Sequence, residues 1–147
     1  MSDRITEAEN STETGGFANA MLAVRSLSVG NYLKKNGIVV QIDGRSIFDM
    51  WDDNGVIKLG YEPIELTEKW LLNFGFKKFS TGSFCKDLNK YGDFYLAIDI
   101  KHKNGVWLNI LNGNEESTVK LGHIKNVHEL QNLFRSITGN ELVGNDR

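Results

Sequence analysis

FYLAIDIKHKNGVWLNILNGNEESTVKLGH, residues 94–123, decides the fold. Phe94, Leu96, Ile98 and Ile100 alternate with Tyr95, Ala97 and Asp99, and a period of two defines one apolar face of a β-strand. Val106, Leu108 and Ile110 repeat the pattern after Asn104-Gly105, and Asn112-Gly113 opens a third run. Asn and Gly enter the left-handed backbone region at least cost, so Asn-Gly between apolar runs signals two strands folding back on each other. The turn can be tested against the apolar face. A two-residue loop at Asn104-Gly105 would place Val106, Leu108 and Ile110 opposite to Ile98 and Ile100 and split the core. A three-residue loop with Gly105 as a left-handed bulge keeps all seven together, and is the geometry expected. The other face then carries Tyr95, Asp99, Lys101, Trp107 and Asn109.

Outward from this hairpin, residues 76–79, 83–88, 93–101, 106–111 and 117–124 read as an antiparallel meander. A short helix precedes it. Thr67 is its N-cap, Leu66 and Leu71 sit at the staple positions, and Gly75 fits just past the end, so the helix spans 68–74 with Trp70, Leu71 and Phe74 inward. A last helix follows the meander: Asn126 and Glu129 form a capping box, Val127, Leu130, Leu133, Phe134 and Ile137 the apolar stripe, and Gly139 the stop. Toward the N-terminus, strands are expected at 31–35, 38–42, 47–51 and 56–59, separated by Asn36-Gly37, Asp43-Gly44 and Asn54-Gly55. Pro63 closes this group because it cannot sit inside a paired strand. The fold class is therefore α+β: an antiparallel β-meander with two helices on one face, preceded by a small curled (SH3-like) group of strands. Residues 28–142 make one domain, with 28–60 strand-rich and 61–142 helix, meander and helix. Residues 1–16, polar with Glu7, Glu9 and Glu13, are expected to be a disordered acidic tail, 17–27 an arm or short helix, and 143–147 a frayed end.

Composition bounds the function classes. A chain of 147 residues buries roughly 70% of its unfolded surface without disulfides or metal. Seventeen Lys plus Arg against nineteen Asp plus Glu give a formal charge of −2, which supplies no bulk positive field for nucleic acid or anionic lipid. Cys85 is the single cysteine, so no internal disulfide forms. No apolar stretch is long enough to span a bilayer, and residues 1–16 lack the apolar run of a secretory signal, so a soluble cytoplasmic protein is expected.

Three strings carry a resemblance: LSVGNY at 27–32, YEPIELTEKWLLNFGF at 61–76 and IKNVHELQNLFRSITGNEL at 124–142. Together they resemble a family of small proteins of gut-type bacterial genomes, prophages and phages, over roughly residues 27–142. The family has no established activity, so the resemblance implies a mobile-element context, with no mechanism and no cofactor. Residues 17–25 and the acidic start fall outside the shared pattern.

Candidate chemistry sits in two places. His128, Gln131, Asn132 and Arg135 follow i, i+3, i+4, i+7 spacing and share one helix face, with donors and acceptors suited to a phosphate, a base edge or a partner backbone. The competing reading is a solvated face, or a His and an Asn that satisfy neighbouring strand ends. On the sheet, Tyr95, Asp99, Lys101, Trp107 and Asn109 combine amphipathic aromatics with polar groups, which suits association. Lys34, Lys35, Lys77, Lys78, Lys86, Lys90, Lys101 and Lys103 fall near hairpin tips and edges, either to contact phosphates or to keep edges from pairing. His102, His123 and His128 lack ligand spacing, so no metal is expected. Cys85 has no base placed beside it, Asp52 and Asp53 lie where turns favour carboxylates, and no glycine-rich phosphate loop opens a helix. No cofactor and no catalysis are expected. The leading expectation is a non-enzymatic interaction module of a mobile element, acting on a host protein, pairing with itself or sequestering a small nucleotide-type signal. Nucleic-acid binding through the open sheet face is the alternative, a hydrolase without a recognisable signature the second, and no membrane partner is expected.

Overall fold

Residues 27–50 and 60–144 are described by the computed structural model. The acidic tail and arm at 1–26, the strand at 56–59 with its Asn54-Gly55 turn, and residues 145–147 lie outside the described residues. The chain divides into two compact units, Met1–Pro63 and Ile64–Arg147.

In the first unit β1 (Tyr32–Lys35) and β2 (Ile38–Gln41) form the hairpin that Asn36-Gly37 announces, with both turn residues left-handed. β3 (Tyr61–Glu62) pairs with the other side of β1, giving the order β2-β1-β3 and ending at Pro63. The expected strand at 47–51 is instead part of a helix, α1 (Gly44–Met50). Asp43 is the cause. Its Oδ1 accepts from the Ser46 N–H at 2.8 Å, and its own N–H donates to Ser46 Oγ at 3.3 Å, a reciprocal cap that starts a helix where a hairpin turn was expected. Helical spacing then brings Ile47 and Met50 to one side, where they join Leu33 and Ile42 in the core of this unit. The N-terminal group is thus a three-stranded sheet with a helix.

The second unit carries α2 (Glu68–Asn73), β4 (Lys77–Ser80), β5 (Ser83–Asp87), β6 (Phe94–Asp99), β7 (Gly105–Asn112), β8 (Glu115–His123) and α3 (Val127–Thr138). The five strands pair in sequence order, all antiparallel, which is the expected meander. Phe84, Leu96, Ile98 and Val106 form its buried face, together with Leu71 from α2, Phe74 at its C-terminal cap, and Val127, Leu130 and Phe134 from α3. The two helices start side by side. The Leu66 N–H donates to Lys125 O at 3.0 Å and the Val127 N–H to Ile64 O at 2.8 Å, a short backbone bridge between the segments that lead into them.

The β6–β7 turn keeps the apolar face intact by a device other than the expected bulge. Asp99 pairs with Gly105, so the loop has five residues: a 3₁₀ turn, Ile100–His102, followed by Lys103 and Asn104, both left-handed. Five, like three, is odd, so Ile98 still meets Val106, Leu96 meets Leu108 and Phe94 meets Ile110 on one face. Ile100 leaves the strand. Between β7 and β8 the register slips after Val106, so that Gly122 faces Val106 while Lys120 faces Trp107 and Leu121 is the extra residue. Gly122 takes a positive φ of 121° there, a conformation only glycine adopts readily. No helix among the described residues is long and apolar enough to cross a membrane.

Candidate functional site

The sheet face turned away from α2 and α3 holds the site. Register arithmetic puts Asp87, Tyr95, Asn109 and Thr118 in one cross-strand row and Cys85, Ala97, Trp107 and Lys120 in the next. Between them lies a hollow of about 430 Å³, walled by Phe79, Tyr95 and Trp107 and lined by Ser83, Cys85, Ala97, Asp99, Asn109, Glu116 and Thr118. Four of the five expected sheet-face residues, Tyr95, Asp99, Trp107 and Asn109, therefore converge. Lys101 does not. It stands on the 3₁₀ turn with its methylenes against Gly82, where a Cβ would meet Lys101 Cγ at 2.5 Å.

Hydrogen bonds fix the polar members. The Tyr95 hydroxyl donates to Glu116 Oε2 at 2.6 Å, and this bond, reinforced by burial, pushes the phenol up to about 12. Burial pulls the Asp99 carboxyl up, but the bonds from His102 Nδ1 (2.7 Å) and the Lys101 N–H (2.9 Å) outweigh it and hold the group below its ordinary value. Thr118 Oγ1 donates to Asn109 Oδ1 at 2.8 Å. Asn109 is only 6% exposed, and among the described residues no acceptor meets its Nδ2. Trp107 lies half-buried across Gly105, with the Lys120 ammonium 5.8 Å from the ring centroid.

Cys85, the one thiol in the hollow, is pushed up by burial and by the Asp87 charge, away from the thiolate a nucleophile requires. Among the described residues no group of three or more His, Cys, Asp or Glu side chains is placed to hold a metal ion.

No family model, curated protein or solved structure matches the chain.

The helical candidates are not gathered on one open face. His128 and Gln131 are buried, and Gln131 Nε2 donates to Leu142 O at 3.1 Å, so the segment after α3 folds back over that side of the helix. Asn132 is half-buried and Arg135 exposed. Burial pushes the His128 imidazole below its ordinary value, against a smaller opposing pull from Glu129, which keeps the ring neutral near pH 7. Sequence reasoning missed Glu116, Thr118 and Phe79 as site residues. The first two had a signal: a two-residue loop after Asn112 puts Glu115 opposite Asn112, and Thr118 and Glu116 then fall on the Asn109 face.

Proposed function

We propose that the chain is a non-enzymatic interaction module that binds a segment of another protein in the hollow around Trp107. One juxtaposition carries the reading: two aromatic side chains, Tyr95 and Trp107, line one hollow with the Asn109 amide, whose oxygen is held by Thr118 while its Nδ2 has no acceptor among the described residues. A peptide carbonyl is the acceptor a protein segment brings to an amide donor at the floor of an aromatic-walled hollow. The mobile-element setting implied by the sequence resemblance points to a host protein as the partner. Nucleic acid and nucleotide-type signals are disfavoured, because the Asp99 and Glu116 carboxylates line the same hollow and repel phosphate. Turnover is not part of the reading.

Immobilised protein is compared with Trp107→Ala and Asn109→Leu for capture of binding proteins, and each captured protein is then purified and titrated. Trp107→Ala is expected to weaken a specific complex by about 2 kcal/mol, the scale of an aromatic anchor at the centre of an interface. Equal affinity of wild type and both variants for every purified candidate removes the hollow as the binding site. A complex with nucleic acid that weakens steeply with salt replaces the reading with the alternative.

A further inference from the structure

The described sheets end in four edge strands, and they are unequally protected. β3 has two residues and β2 four. β4 carries Lys77 and Lys78 and an irregularity between Lys78 and Ser80, so a copy laid against it would meet lysine with lysine across a broken ladder. Short length, lysines and bulges are the devices that blunt an edge. β8 differs: it has nine residues, nearly all exposed, and its bulge at Leu121 lies near one end, which leaves Glu115 to Lys120 as a regular open ladder.

We propose that β8 pairs antiparallel with β8 of a second copy about a two-fold axis at Thr118, joining two five-stranded sheets into one. The register follows from charge. A two-fold axis normal to the sheet keeps like faces together, so the axis passes through a residue. Centred on Thr118, Glu116 of each copy faces Lys120 of the other, Thr118 faces Thr118, and Ser117 faces Val119. Centred on Val119, Glu116 meets Gly122, and centred on Ser117, it meets Thr118. Only the first register makes both opposite-charge pairs, and it adds a threonine pair at the centre. Apolar surface agrees with it. On the helix side Val119 is 50% and Ile110 40% exposed, beyond the reach of α2 and α3, and the pairing sets each Val119 beside the other copy's Ser117, the cross-strand neighbour of its Ile110. On the opposite side Tyr95, Asn109 and Thr118 of both copies fall in one row, which makes the two hollows one trough. The pairing does not depend on what the hollow binds.

A strip of this length buries less than the ~1,200 Å² at the lower end of standard interfaces, so the dimer is expected to be concentration-dependent in the micromolar range. Sedimentation of the full chain across micromolar to millimolar concentration reads it. Glu116→Lys and Lys120→Glu each set like charges opposite at both ends and are expected to weaken the dimer roughly tenfold, while the double swap, which restores both pairs, returns it to near the wild-type value. The double variant lacks the Tyr95–Glu116 bond as the first single does, so its recovery isolates the intermolecular charge pair, and Lys120→Glu leaves that bond in place. As a second reading, Cys85→Ser/Thr118→Cys is expected to form an intermolecular disulfide under mild oxidation much faster than Cys85→Ser/Ser117→Cys, because only residue 118 faces itself. A wild-type chain that stays monomeric throughout overturns the proposal. So does a dimer that ignores the single swaps, a double swap that fails to recover, or cross-linking at 117 as fast as at 118.

Discussion

His128 shows how burial turns one residue into a pH dependence. The ring is 2% exposed, and its pKa is lowered by desolvation against a weaker pull from Glu129. In the unfolded chain the imidazole titrates near 6.5. As pH falls from about 7 through that value, the unfolded state takes up a proton more readily than the folded state does, and stability falls with acid; above it, His128 adds no pH dependence. Urea midpoints measured across this range should therefore drop with acid, and His128→Gln should flatten the curve. An unchanged slope in the variant removes the assignment to this residue. Gly105 makes a second residue-scale prediction. A Cβ there would meet Trp107 Cη2 at 2.7 Å, and the His102 carbonyl oxygen stands at 3.4 Å, so the ring is the part that must move. Gly105→Ala is expected to cost about 1 to 3 kcal/mol and to shift the Trp107 indole N–H resonance. A resonance that stays in place shows that the ring does not depend on the missing side chain.

At the scale of elements, α2 and α3 were legible because their ends are written in side chains: Thr67 accepts from the Trp70 N–H, and the Asn126 N–H donates to Glu129 Oε1 at 2.8 Å. α1 was misread, since a short apolar run such as 47–51 has no periodicity that separates strand from helix, and the deciding signal was Asp43 and Ser46 just ahead of it. The β6–β7 loop shows a related limit: the odd loop length followed from the apolar pattern, but three residues and five satisfy parity equally. The open sheet face was readable from alternation. The fate of His128 and Gln131 was not, because helical spacing defines a face without telling which segment covers it, and here the Leu142 backbone does. Two predictions belong to this scale. Asp43→Ala is expected to release the reciprocal cap and lower the hydrogen-exchange protection of the α1 amides while leaving β6 and β7 unchanged. Leu71→Ala, at the one fully buried side chain within α2, is expected to cost about 2 to 5 kcal/mol in urea unfolding. A loss under 1 kcal/mol, roughly what an exposed site gives, shows that α2 is not packed through Leu71.

For the molecule as a whole, the described residues of the two units hold very different amounts of buried apolar surface. The described core of the first rests on Leu33, Ile42 and Met50, with Leu27, Val40, Ile47 and Tyr61 partly buried around them. The second buries Phe74, Phe76, Phe84, Leu96, Ile98, Val106, Leu130 and Phe134 between five strands and two helices. Burying one Leu or Phe side chain is worth roughly 1.5 to 3 kcal/mol, so the difference amounts to many times thermal energy and opposes any uniform, all-or-none opening. Backbone pairing points the same way: β1 has four residues, of which two are flanked on both sides, whereas β6 and β7 are paired on both sides along most of their length. Native-state hydrogen exchange is the measurement. The slowest amides are expected at Leu96, Ile98, Val106 and Leu108, exchanging with the free energy of global unfolding, while those of Leu33 and Val40 open at lower cost and respond weakly to small amounts of denaturant. Equal protection in the two units, with the same denaturant dependence, shows that they unfold as one body and that burial within each does not set the order of opening.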